Sequence, residues 1–250
     1  MKELEKFTMV SHINPDVDLC ACAWACKAKT VILIPANAKE LPPDMPASVV
    51  VLDHDLGLKG DKKNCAFASF VKKEGIAVSP DLLEEINEQD TTGKVEKPRF
   101  SLAAILAALR KINTSDQECI ALMGKILEGI NSLWLDRTTA LKIIQRGETV
   151  ETKSGEKFLI LKEETGPMVG IVANEQGFSG ALYKNEESLG ITRYPGRDIP
   201  DLTKIKKFVN EEGWFFHPQG FLACRGSRKA PATSPSKYSL EDIKGWVKKL

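Results

Sequence analysis

Short, continuous apolar runs separated by polar turns mark the first hundred residues. KFTMVSHI, TVILIP and ASVVVLDHD are of strand length, and each ends in a turn or a polar group. Apolar strands without alternation suit a parallel sheet covered on both faces. PDVD breaks the first strand, and Asp18 can cap a helix from Leu19 to Ala28, where Ala, Cys and Trp24 are tolerable in a buried interior. NCAFASFVKKEG predicts a helix ending at Gly75. SPDLLEEINEQD predicts another, with Ser79 as cap and Pro80 at its first position. Strand, helix, strand, strand, helix is the order of an α/β domain, whose ligand groups sit at strand ends.

From Ser101 the period becomes helical. SLAAILAALRKIN is one helix, and SDQECIALMGKILEGINSLWLDRTTALKIIQRG is one long helix or two, since Gly124 and Gly129 weaken it. After Gly147 the pattern changes again. TVETKSGEKFLILKEE is a hairpin with SGE at the turn, and PMVGIVANEQGFSGALYKN supplies further strands. DLTKIKKFVNEEG reads as a helix ended by glycine, and SLEDIKGWVKKL as a capped C-terminal helix. SRKAPATSPSK is a loop. The expected organisation is a parallel-sheet α/β domain over 1–100, a helical connector over 101–146 and a smaller α+β domain over 147–250.

The 250 residues carry a net charge of +1, with 42% hydrophobic and 28% charged, so a packed core is expected. Any nucleic-acid surface must be local. No run approaches the ~20 apolar residues of a membrane span, and MKELEKFTMVSH lacks a signal-peptide core. The expectation is a cytoplasmic protein. In a reducing compartment Cys20, Cys22, Cys26, Cys65, Cys119 and Cys224 form no disulfide framework. No CxxC pair is present, so the cysteines read as small core residues. An iron–sulfur or zinc site on Cys20, Cys22 and Cys26 is the last-ranked alternative.

The chemistry gathers at strand ends. His12, Asp16 and Asp18 follow the first strand within seven residues; Asp53, His54 and Asp55 end the strand SVVVL; Asp90 lies in INEQDTTGK. Imidazole nitrogen with several carboxylate oxygens suits Mn²⁺ or another octahedral divalent ion. Two such ions roughly 3.5–4 Å apart hold a phosphate ester and activate its nucleophile. So many carboxylates without a cation would be electrostatically costly.

HINPDVD resembles the first motif of the DHH phosphoesterase superfamily, His-x-Asn-Pro-Asp-x-Asp. VVVLDHD is similar to its Asp-His-His element and the Asp90 segment to its fourth acidic motif. The resemblance covers roughly residues 7 to 94. It implies a DHH-like domain, two Mn²⁺ ions (one ion, or Mg²⁺ or Co²⁺, being variants), and hydrolysis of phosphodiesters or phosphomonoesters. Carried over, His12, Asp16 and Asp18 are ligands, Asp53 bridges the metals and Asp90 completes the site. Asn14 contacts substrate, and His54 and Asp55 take the catalytic positions. The sequence departs from the family in having a single Asp-His-Asp, with Asp55 where a histidine is usual. An ionised aspartate there cannot donate to phosphate. DKKN (Asp61 to Asn64) reads as a remnant of the absent element.

Near the far end, GWFFHPQGFLACRGSRKAPATSPSK brings His217, Arg225, Ser227, Arg228 and Lys229 together in sequence. Arginine binds phosphate bidentately, and Trp214, Phe215, Phe216 and Phe221 offer stacking faces to a base. FFHPQGF resembles the glycine-and-histidine loop of the DHHA1-like C-terminal domain, loosely of the Myg type, and Arg193 and Arg197 are candidates to line the same cleft. The leading expectation is a metal-dependent phosphohydrolase acting on a short oligonucleotide or small nucleotide between two domains. The alternative is a degenerate DHH-like module that binds nucleotide or nucleic acid without turnover. Expected partners are a nucleotide or short single-stranded nucleic acid, with a homodimer as the candidate assembly and no membrane.

Overall fold

The computed structural model of the chain describes residues 8–46, 49–94, 101–162, 166–186, 188–196, 201–227 and 230–250. The chain divides into two compact units, Met1–Trp134 and Leu135–Leu250.

In the first unit the apolar runs become strand β1 (Thr8–His12), β2 (Thr30–Ile34) and β3 (Val49–Val51) of a parallel sheet. Their order is β2-β1-β3, so β1 is central and the chain leaves all three strands at one edge. Helix α1 (Val17–Ala25) follows β1 at once. Apart from Asp18 it is apolar, because it is covered on most sides: Leu19, Cys20, Ala21 and Cys22 have no exposed surface. Its small side chains let it touch β1, α2 (Ala66–Glu74), α3 (Pro80–Thr92) and α4 (Leu102–Lys111). The residues that end α2 and start α3 are those the sequence predicts, Gly75 in left-handed conformation and Ser79 with Pro80. The cap of α1 differs. Asp16 fills it, not Asp18, and the helix runs from Val17 to Ala25 rather than from Leu19 to Ala28.

All six cysteines are buried and unpaired. Burial pushes the Cys20 thiol up to about 12 and the Cys26 thiol up to about 11, far from a reactive thiolate. No cysteine joins a cluster of metal-ligating side chains among the described residues.

The stretch 101–146 is helical, as α4 and a single helix α5 (Asp116–Arg146); the division between the units falls inside α5. Gly124 and Gly129 do not break it. The second unit holds a six-stranded mixed sheet. Its strands are β4 (Glu148–Glu151), β5 (Lys157–Leu161), β6 (Gly180–Lys184), β7 (Leu189–Arg193), β8 (Trp214–Phe216) and β9 (Leu222–Arg225), in the order β4-β5-β6-β7-β9-β8. Alternation along β5 builds two cores. Phe158 and Ile160 pack with Ile243 and Trp246 of α7 (Leu240–Val247), while Leu159 and Leu161 pack with Val169 and Val172 of α6 (Pro167–Glu175).

Two segments of this unit differ from their sequence reading. PMVGIVANE is the helix α6, not a strand, because β5 and β6 pair in parallel and a parallel pair needs a crossover. DLTKIKKF forms a 3₁₀-helix over Leu202–Phe208. The expected class is otherwise met: a parallel-sheet α/β unit followed by an α+β unit. No helix among the described residues is long and apolar enough to cross a membrane.

Candidate metal centre

Register brings the first two candidate ligands together. Val10 lies level with Val51 in the parallel β1–β3 pair, so two residues further on His12 comes level with Asp53. There both segments leave the sheet. Asp53 and Asn14 take positive φ, 53° and 64°, a conformation that short polar residues adopt more readily than others. The turn after Asp53 is tight. The Asp53 N–H donates to Leu58 O at 2.8 Å and the Leu58 N–H to Val51 O at 3.0 Å. A Cβ on Gly57 would stand 2.3 Å from the Val51 carbonyl oxygen, so only glycine closes this turn.

His12 Nδ1 donates to its neighbour's carbonyl, Ile13 O, at 2.9 Å. That fixes the ring and turns Nε2 toward Asp53 Oδ2 at 2.9 Å and Asp16 Oδ2 at 3.8 Å. The two oxygens of Asp16 divide their work. Oδ1 accepts from the Leu19 N–H at 2.9 Å and caps α1, while Oδ2 faces His12. One ligand atom from each of His12, Asp16 and Asp53 lies within 4.8 Å of the others.

The electrostatics of the group favour a positive charge. The hydrogen bond to Asp53 raises His12 to about 9, against the opposing effect of its own burial. Burial pushes the Asp16 carboxyl up, and so does the charge on Asp53; the Leu19 N–H, His12 and Arg110 pull it down. A proton on His12 therefore supplies the positive charge that the two carboxylates call for. One imidazole and two carboxylates with no thiolate form a donor set that fits Mn²⁺ or Mg²⁺, and a three-residue set leaves coordination positions open.

The other acidic candidates are placed differently. Asp18 is buried, and its carboxylate accepts the Ala66 and Phe67 N–H groups at 3.0 and 2.9 Å, at the first turn of α2. It ties α2 to α1 at a helix N-terminus, where an anion is favoured. Burial, reinforced by Asp53, raises its carboxyl to about 7. Asp90, near the end of α3, stays outside the three-residue group, although Asp16 and Asp53 add to the desolvation that pushes its carboxyl up. Asp61 binds the Lys63 and Asn64 N–H groups within its own loop.

His54 and Asp55, the residues read as catalytic, do not join the group. His54 is buried; Nε2 donates to Pro35 O at 3.0 Å and Nδ1 accepts the Leu56 N–H at 3.1 Å, which occupies both nitrogens. Asp55 is exposed and paired with Lys59, whose ammonium holds its carboxyl below the usual range. Asn14 is exposed, two residues beyond His12.

In the second unit His217 opens the turn between β8 and β9. Its ring lies against Phe221 at 3.8 Å between centroids, the planes tilted by 35°, and Nδ1 accepts the Gln219 N–H at 3.2 Å. Arg225 is committed to the fold. Its Nε donates to Glu212 O at 3.2 Å and Nη2 to Ser234 Oγ at 3.0 Å, and Nη1 reaches Ser234 O. Ser227 makes a two-bond turn with Ala230. Arg193 ends β7, its N–H donating to Phe221 O; Arg197, Arg228 and Lys229 lie outside the described residues.

One residue near this group escapes the sequence reading. Arg110, in the last turn of α4, donates through Nη2 to the carbonyl of Pro15, next to Asp16. A basic residue at a helix C-terminus reads as a dipole partner, and nothing local links it to a loop 95 positions away.

No family model matches the chain, and no curated protein does. Among solved structures, the pGpG-specific phosphodiesterase PggH from Vibrio cholerae aligns over 88% of this chain and 93% of its own, at 13% identity and a TM-score of 0.36. RecJ from Thermus thermophilus, in complex with Mg²⁺, aligns over 89% of this chain and 47% of its own, at 14% identity and a TM-score of 0.30. At such scores the likeness is loose, and the chemistry rests on this chain's own residues.

Proposed function

We propose that the chain is a divalent-metal-dependent phosphohydrolase of the DHH type, acting on a short oligonucleotide or a small nucleotide, with Mn²⁺ as its cation. The observation that carries this is the convergence of His12, Asp16 and Asp53 at the ends of two parallel strands. In this reading those three residues hold the ion, which when bound supplies Lewis acidity toward a phosphoryl oxygen and lowers the pKa of a water. The chain's own part is to fix the three donors. Asp53 is set by its turn, Asp16 by its cap and His12 by the Ile13 carbonyl. Because His12 holds a proton up to about pH 9, loading the site displaces that proton, and affinity rises with pH across the neutral range. Asn14 is the proposed substrate contact beside the metal.

A second reading is a module that binds without turnover. It is favoured by His54, whose nitrogens are both occupied, and by Asp55, which is paired with Lys59. Calorimetric titration of chelator-stripped protein with Mn²⁺, followed by assays on bis-p-nitrophenyl phosphate and a short oligonucleotide, separates the two. Binding with hydrolysis supports the phosphohydrolase, and binding without it supports the module. Asp16→Asn combined with Asp53→Asn is expected to abolish Mn²⁺ binding with the fold retained. Unchanged affinity in that double variant would remove the site.

A further inference from the structure

Arg110 belongs to the face of α4 that also carries the buried Leu102 and Leu106, eight and four positions earlier, so the helix delivers it inward. Its Nη2 donates to the Pro15 carbonyl. That carbonyl lies outside the first turn of α1, whose bonds begin with the Cys20 N–H donating to Asp16 O, so no helical donor serves it. The guanidinium Nε is buried and has no hydrogen-bond partner among the described residues. A side chain placed for packing alone would not bury part of its charged group unsatisfied.

We infer that Arg110 is a positioning residue for the metal centre: by holding the Pro15 carbonyl it fixes the peptide that aims Asp16 Oδ2 at the ion. This rests on the proposed metal-binding role of His12, Asp16 and Asp53. The place of the contact supports it. It falls on the residue immediately before the ligand, where a small rotation of the peptide swings the carboxylate. Outer partners of this kind typically change metal affinity by about 10- to 100-fold when removed.

The test is Mn²⁺ affinity by calorimetry, without substrate, on wild type, Arg110→Gln and Arg110→Lys, with the Tm of each metal-free protein measured beside it. Arg110→Gln is expected to weaken Mn²⁺ binding by about tenfold. Arg110→Lys, which keeps a charge and a donor, is expected to stay within about threefold of wild type. A purely structural role would lower Tm in both variants and leave affinity unchanged, and that result would overturn the inference while leaving the metal site standing. Wild type that binds no Mn²⁺ would remove the metal reading itself, and this inference with it. Should Arg110→Gln not fold, Arg110→Met takes its place: a loss of about tenfold that Arg110→Lys does not share supports the role, and affinity unchanged in both variants overturns it.

Discussion

The clearest consequence of the site's geometry is a displaced titration. His12 Nε2 lies 2.9 Å from Asp53 Oδ2, and that bond moves the imidazole from its ordinary 6.5 to about 9. The chain has only three histidines, so the ring-proton resonances of metal-free protein can be assigned with His54 and His217 variants and followed one by one against pH. His12 is expected to titrate near 9 in wild type and to fall toward 6.5 in Asp53→Asn. Fully expressed, the difference corresponds to about 3 kcal/mol. The two side chains keep 18% of their surface in water, and screening reduces what folding stability gains to about 1–2 kcal/mol.

The sign follows from the direction of the shift. The folded protein binds this proton more tightly than the unfolded chain does. The contribution is therefore complete below pH 6.5 and disappears as pH rises through about 9. Urea unfolding in chelator should show wild type above Asp53→Asn by about 1–2 kcal/mol near pH 6, with the gap closing by about pH 10. A wild-type His12 that titrates near 6.5, or a stability gap independent of pH, would refute the pairing.

Other outcomes follow from the same contacts. Asp18→Ala strands two buried N–H groups at the start of α2 and should cost about 2–3 kcal/mol, seen as a lower urea midpoint with chelator present. Gly57→Ala forces a Cβ against the Val51 carbonyl and should cost about 2 kcal/mol; because the turn carries Asp53, Mn²⁺ affinity measured by calorimetry should fall as well. Arg225→Ala removes bonds to Glu212 and Ser234 and should lower stability by about 1–2 kcal/mol. Arg225→Lys should not restore it in the same urea assay, since one ammonium cannot replace a planar fork.

The grouping of His12, Asp16 and Asp53 was legible because its signals are local. An apolar strand that ends in His-x-Asn-Pro-Asp can present its polar groups only at the sheet edge, and Asp53 ends the neighbouring strand at the matching register. The residues that the structure places outside that group are those with distant partners. The sequence cannot show that Asp18 meets the backbone of Ala66 and Phe67, 48 and 49 positions away, or that His54 spends its ring on Pro35 and Leu56. Arg225 looked free for phosphate because the loop that returns to cover it, at Ser234, carries no periodic signal. PMVGIVANE misled for a related reason: a short apolar run fits helix and strand alike, and the parallel pairing of β5 with β6 decides between them.

The parallel pairing of β1 with β3 carries a kinetic consequence. His12 and Asp53 stand 41 positions apart and meet only once that non-local pairing has formed. The unfolded chain therefore offers a cation no assembled cage, and closing such a loop is among the slower acts of folding. An ion added at the start of refolding should leave the folding rate nearly unchanged. The same ion bound to the finished protein should slow unfolding, so the native state would gain in lifetime rather than in speed of formation.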